Sequence, residues 1–95
     1  MRPLVISAAV LNKLQEKHGV TPREIEQCFE NRVGINVEDD REEHKTDPAT
    51  LWFVAPTNCE RLLKIIFVIL DGNIHIKSAY EPSRKVVDLY GKMGK

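Results

Sequence analysis

Ninety-five residues with 42% apolar and 29% charged side chains describe one globular domain over 1–95 with a modest core, and exclude a disordered chain. Lys and Arg number 14 and Asp and Glu number 14, so bulk charge gives no support to a strongly basic nucleic-acid binder and leaves room only for a local patch. The longest apolar stretch, 62–70, is interrupted by Lys64 and falls far short of the ~20 residues a membrane span needs, so no membrane contact is expected.

Leu4-Val5-Ile6, after Pro3, reads as an edge strand or a lead-in. Ser7 is a suitable N-cap for a helix over 8–18, with Gly19 as its stop and Val10, Leu11 and Leu14 on its inner side. Thr21-Pro22-Arg23-Glu24 starts a second helix: Thr as N-cap, Pro at the first helical position, and Glu closing a capping box. Its apolar side is Ile25, Cys28, Phe29 and Val33, and Gly34 is read as its end. Ile35 and Val37 point inward from a short strand over 35–38, and the charged stretch 39–49, broken by Asp47-Pro48, reads as a loop.

Residues 50–56 alternate as a strand, with Leu51, Phe53 and Ala55 on one face and Trp52 and Val54 on the other. Two apolar runs then flank Asp71-Gly72, the strongest short-range signal for a hairpin, because a type I′ turn needs positive φ at both central residues. The first run, 62–70, reads as a central strand buried on both faces. The second, 73–79, alternates, with Ile74, Ile76 and Ser78 opposite His75, Lys77 and Ala79. Ser83 caps a C-terminal helix from Arg84 to about Met93. The order predicts an α+β fold: two N-terminal helices, an antiparallel meander of three to four strands, and a C-terminal helix. Cys28 and Cys59, without a CxxC motif or a secretory segment, point to free thiols in a reducing cytoplasm.

Lys17-His18-Gly19-Val20, followed by a capped helix with Cys28-Phe29, resembles the opening of BrnT-type toxins of the RelE-like ribonuclease group. The hairpin closing on Ser78-Ala79, then Glu81 and a helix with Tyr90, resembles the close of that family. The resemblance implies a RelE/BrnT-like domain with a curved antiparallel sheet, RNA as substrate, and a cognate antitoxin protein as partner. Two positions depart from the pattern. Where the family has arginines around the last strand's Ile-Ser-Ala step, this chain has His75 or Lys77 before it and Tyr80 after it. Lys17–Val20, Glu26–Asn31, Asp40–His44, Thr46–Ala55, Thr57-Asn58, Arg61–Lys64, Phe67 and Ala79–Pro82 also resemble short bacterial chains that carry the label ADP-ribosyl-(dinitrogen reductase) hydrolase. That activity calls for a larger, all-helical, dinuclear-metal enzyme, and 95 residues do not provide it.

RNA cleavage of this kind needs a cation for the phosphorane and an acid–base pair, with no metal or other cofactor. The last strand and its exit offer His75, Lys77, Tyr80 and Glu81. On a regular strand Tyr80 shares a face with Ile76 and Ser78, so a bulge or bend near Ala79 is needed to aim it with His75 and Lys77. Lys64, a lone cation in a buried-looking strand, must be paired, reach a rim or line a site; Glu81, Asp40 and Glu43 are candidate partners. Arg41 and His44 resemble the basic and polar groups such toxins place beside the sheet, and Trp52 is either core or a stacking platform for a base. His18 reads as a cation at a helix C-terminus. Two functions therefore compete: a metal-independent endoribonuclease neutralised by an antitoxin, and a non-catalytic protein-binding module on the same fold.

Overall fold

A computed structural model describes residues 3–39 and 48–93. In chain order the elements are β1 (Leu4–Val5), α1 (Ala8–Lys13) continuing into a π-helical turn (Leu14–His18), α2 (Pro22–Asn31), β2 (Val37–Glu38), β3 (Leu51–Pro56), β4 (Leu62–Leu70), β5 (Asn73–Tyr80) and α3 (Arg84–Met93). The strands form one sheet in the order β1-β5-β4-β3-β2. Strands β2 to β5 are an antiparallel meander, but β1 runs parallel to β5, with Leu4 opposite Ile74 and Val5 opposite His75. The fold is thus α+β with a five-stranded mixed sheet, which corrects the all-antiparallel meander of three to four strands. Short connections dictate antiparallel pairing only between strands joined by turns. β1 reaches its partner across most of the chain.

The helix starts form as their sequences dictate. The Ser7 hydroxyl accepts from the Val10 amide at 3.2 Å. The Thr21 amide donates to Glu24 Oε1 at 3.0 Å and the Glu24 amide to Thr21 Oγ1 at 3.2 Å, a complete capping box. The helix ends differ from expectation. Gly19, at φ 59°, stops the first helix, but its last turn has widened to π geometry. α2 ends at Asn31, not at Gly34, because Asn31 Nδ2 turns to the Pro56 carbonyl and Asn58 Oδ1, while Arg32 is extended with its guanidinium 5.3 Å from the Phe53 ring centre. Val33 is consequently 100% exposed instead of packed. Gly34 serves a close approach: a Cβ there would lie 2.5 Å from the Tyr90 hydroxyl, which donates to the Ile35 carbonyl at 2.6 Å.

Asp71 at φ 53° and Gly72 at φ 80° make the tight turn between β4 and β5 that the dipeptide demands. One sheet face packs on α2. Phe29 meets Phe53 and Phe67 edge-on at 4.8 and 5.4 Å, and the Cys28 thiol lies 3.4 Å from the Ala55 carbonyl oxygen. The other face receives α3, where Tyr90 sits 5.7 Å from Trp52.

The pairing of β4 with β5 is interrupted once. Ile66 opposes Ser78 and Phe67 opposes Ile76, so Lys77 has no partner on β4 and forms a bulge. The consequence is a change of face. Ile74 and Ile76 are buried on one side, and beyond the bulge Ala79 takes that side while Ser78 and Tyr80 turn to the side of His75 and Lys64.

Candidate functional site

The bulge brings Tyr80 onto the face that carries Lys64. Lys64 and Tyr80 are cross-strand partners. The Lys64 ammonium lies 6.0 Å from the Tyr80 ring centre and 4.5 Å from that of Trp52, so two electron-rich ring faces hold the cation in place. Trp52 is 9% exposed, with Lys64 over it and Tyr90 beside it, and belongs to the core.

On its other side Tyr80 meets the end of the first helix. The His18 and Tyr80 rings are 5.5 Å apart and inclined at 37°. Lys17, His18, Arg61, Tyr80 and Glu81 line an open polar cleft of about 370 Å³. Local sequence explains the placement: the αL glycine at 19 ends the helix with His18 in its last turn, and Glu81-Pro82 takes the chain out of β5 just past Tyr80.

Arg61, at the start of β4, ties the cleft together. Its Nη2 donates to the His18 carbonyl at 3.0 Å and its Nη1 to the Gly19 carbonyl at 2.9 Å. Nη1 also faces the Glu24 carboxylate at 3.1 Å, and Nε donates to Glu81 at 2.7 Å. The hydrogen bond to Glu81 holds the guanidinium charged, above its ordinary range, against the opposing effect of burial. At Glu24 burial works to raise the pKa. The Thr21 amide, the Arg61 hydrogen bond and the Arg61 charge together outweigh it and hold the carboxyl below its ordinary value.

Among the expected catalytic residues, Lys64 on β4 and Tyr80 on β5 come together and Glu81 follows Tyr80 in the chain. Glu81, one of three candidate partners for Lys64, is bonded to Arg61 instead. His75 shares the Lys64 face but pairs with Val68, roughly 13 Å along the sheet at ~3.3 Å per residue. Lys77 is exposed on the bulge, and its carbonyl accepts from Lys13 Nζ at 3.2 Å. Arg41 and His44 lie outside the described residues, as do Asp40 and Glu43.

Lys17, His18 and Arg61 were not singled out as site residues. Lys17 and His18 were visible as the Lys-His-Gly-Val motif, but a helix-end histidine shows no neighbouring ring until β5 is brought beside it. Arg61 shows only as part of the matched stretch Arg61–Lys64, with no local sign of its role, since its partners are at 18, 19, 24 and 81.

Two further depressions flank the sheet. A groove of about 450 Å³ between α3 and the β2–β3 edge has Trp52, Val86, Leu89 and Met93 on its apolar side and Glu38, Asp39 and Lys64 as its charged lining. A cleft of about 420 Å³ by α2 is floored by Phe29, Phe67, Ile69 and Ile74 and brings in no His, Lys or Tyr. Among the described residues no group of His, Cys, Asp and Glu is placed to share a metal ion, and no helix is long and apolar enough to cross a membrane. Compared with protein-family models, curated proteins and solved structures, the chain finds no match in any of the three.

Proposed function

We propose that the polar cleft at the end of β5 binds RNA phosphate and cleaves RNA without a metal, as a RelE/BrnT-like toxin domain would, and that a cognate antitoxin protein neutralises it. The observation that carries this reading is the Lys77 bulge. It turns Tyr80 toward Lys64 while leaving its ring beside His18, so a phenol, an imidazole and the Lys17 ammonium line one cleft, with the Lys64 ammonium 6.0 Å from the Tyr80 ring centre in the neighbouring groove.

These groups match what cleavage by the 2′-hydroxyl requires. His18, whose ring lies 5.5 Å from that of Tyr80 in the cleft, takes the 2′-hydroxyl proton as general base. The freed oxygen attacks phosphorus. The P–O5′ bond breaks as the leaving oxygen takes the Tyr80 phenol proton, giving a 2′,3′-cyclic phosphate and a 5′-hydroxyl. Lys17, in the cleft, offsets the charge that builds on the phosphorane oxygens, and Lys64 adds positive potential from beyond the Tyr80 ring. Arg61 is committed to the helix end and to two carboxylates, so it is not assigned to the phosphate.

The experiment is expression and purification. Induction should arrest growth, and the purified chain should cut single-stranded RNA in chelator, with Tyr80→Phe and Lys64→Ala slowed. Absence of both effects in the wild type, with the variants behaving alike, would defeat the enzyme reading.

One observation favours the second reading, a protein-binding module without catalysis. The groove beside α3 is largely apolar, with Glu38, Asp39 and Lys64 as its charged groups and with Leu89 47% and Met93 43% exposed. Recovery of one stoichiometric partner with no effect on RNA would favour that reading. The ADP-ribosyl hydrolase reading gains nothing from the described residues.

A further inference from the structure

We infer that Arg61 is a positioning residue for the His18–Tyr80 pair: one guanidinium acts as a cross-brace between the end of the first helix and the exit of β5. This rests on the reading of the cleft as the catalytic site. One end of the brace is backbone. The carbonyls of His18 and Gly19 are the unpaired acceptors that a helix leaves at its C-terminus, and Nη2 and Nη1 satisfy them at 3.0 and 2.9 Å. The other end is Glu81, held by Nε at 2.7 Å. The two catalytic rings hang directly on these anchors, since His18 carries one of the carbonyls and Tyr80 precedes Glu81.

Two features argue for placement over bulk stability. The Glu81 side chain is 63% exposed, and ion pairs that open to water add little to folding. Its contact with Arg61 is nonetheless short, and its direction is set by a fork already fixed at the helix end. Among the described residues, the other polar link from this helix to β5 is Lys13 Nζ on the Lys77 carbonyl, further back along the helix. Without Arg61 the helix end is free to shift against Tyr80. A lysine cannot replace it, because a single ammonium on a flexible stem does not span both anchors in fixed directions. Glu24 closes the arrangement from a third side and couples the brace to the capping box of α2.

The test uses Arg61→Lys and Arg61→Ala in the full chain, with two readouts. The first is the proton–proton NOE between the His18 and Tyr80 rings, with Ile65 and Ile76 resonances reporting on the core. The wild type should show the ring NOE, and both variants should lose it while the core signals stay in place. The second is cleavage of a single-stranded RNA oligonucleotide. kcat should fall about tenfold or more with KM unchanged, because misplacement of an acid–base pair acts on the reacting geometry. Added guanidinium ion should restore kcat and the NOE to Arg61→Ala.

A folded Arg61→Lys that keeps both the NOE and its kcat would overturn the inference, as would a folded Arg61→Ala that guanidinium does not restore. If both variants unfold, Glu81→Ala decides. It cuts only the strand-side arm and should lose the ring NOE; retention would refute the brace. The NOE is read whether or not RNA is cut. An inactive wild type with an Arg61-dependent NOE therefore sinks the ribonuclease reading and leaves the brace standing.

Discussion

Replacing Gly34 by Ala adds one methyl group at a point where the backbone touches a buried ring. The new Cβ would sit 2.5 Å from the Tyr90 hydroxyl, 2.8 Å from Cζ and 2.9 Å from Cε2, all closer than real Cβ atoms come to a non-bonded neighbour. The backbone at Gly34 is not left-handed, so the cost is steric. To reach ordinary contact the ring must retreat by roughly 1 Å, given carbon contact optima near 3.5 Å. That movement stretches the 2.6 Å hydrogen bond to the Ile35 carbonyl beyond useful length, a loss of about 1 kcal/mol. It also drives Tyr90, which is buried, against Trp52 at 5.7 Å, and overpacking of this kind costs about 1–3 kcal/mol. Against this, removing a glycine from the unfolded chain contributes about 0.4–1 kcal/mol of stability. The net expectation for Gly34→Ala is a loss of about 1–3 kcal/mol, seen as a lower urea midpoint at unchanged slope. Tyr90→Phe should itself cost about 1 kcal/mol, and it removes the closest of the three contacts. The double variant should therefore be less destabilised than the sum of the singles, by about 0.5 kcal/mol or more. A stabilised Gly34→Ala would refute the reasoning, because it would leave only the unfolded-state term.

The remaining expectations concern titratable groups. Glu24 has a folded-state pKa below its unfolded one, so the unfolded chain takes up the proton first as pH falls. Its contribution is present above the ordinary carboxylate range and is lost as pH drops through the lowered value. The difference in urea midpoint between wild type and Glu24→Gln should therefore be largest near neutrality and close in acid; a pH-independent difference would contradict this. Burial pushes the Cys28 thiol up to about 11, whereas Cys59 is exposed in a turn. A thiol reagent at neutral pH should therefore modify one cysteine in the native chain and both in denaturant, and rapid native labelling of Cys28 would be the contrary result.

Much of the fold was legible where a signal is local. Asp71-Gly72 specifies its turn through two positive φ values, and Thr21-Pro22-Arg23-Glu24 specifies its helix start through a reciprocal pair of hydrogen bonds. Cys28 was readable as packing because Ile25 and Phe29 flank it on the same helical face. The parallel pairing of β1 was not legible, since Leu4 meets Ile74 across most of the chain and two strand residues carry no orientation signal. The bulge left a faint mark. Buried positions run Ile74, Ile76, Ala79, a step of two followed by a step of three, but Ser78 and Ala79 are both too small to show which one faces the core. That step decides the site, because it determines the side to which Tyr80 turns. Gly34 was misread as a helix end for a related reason: glycine marks a turn and a close approach equally well, and the ring that requires it is at position 90.

The central claim is that His18 and Tyr80 form an acid–base pair acting on RNA. Its most direct measurement is the cleavage rate of a single-stranded RNA oligonucleotide, in chelator, by purified wild type, His18→Ala and Tyr80→Phe, with the product ends identified. The account predicts a 2′,3′-cyclic phosphate from the wild type and rates lower by about 10²-fold or more in each variant, the usual contribution of a positioned acid or base. Wild-type protein that leaves the RNA intact, or variants that cut it at the wild-type rate, would contradict it.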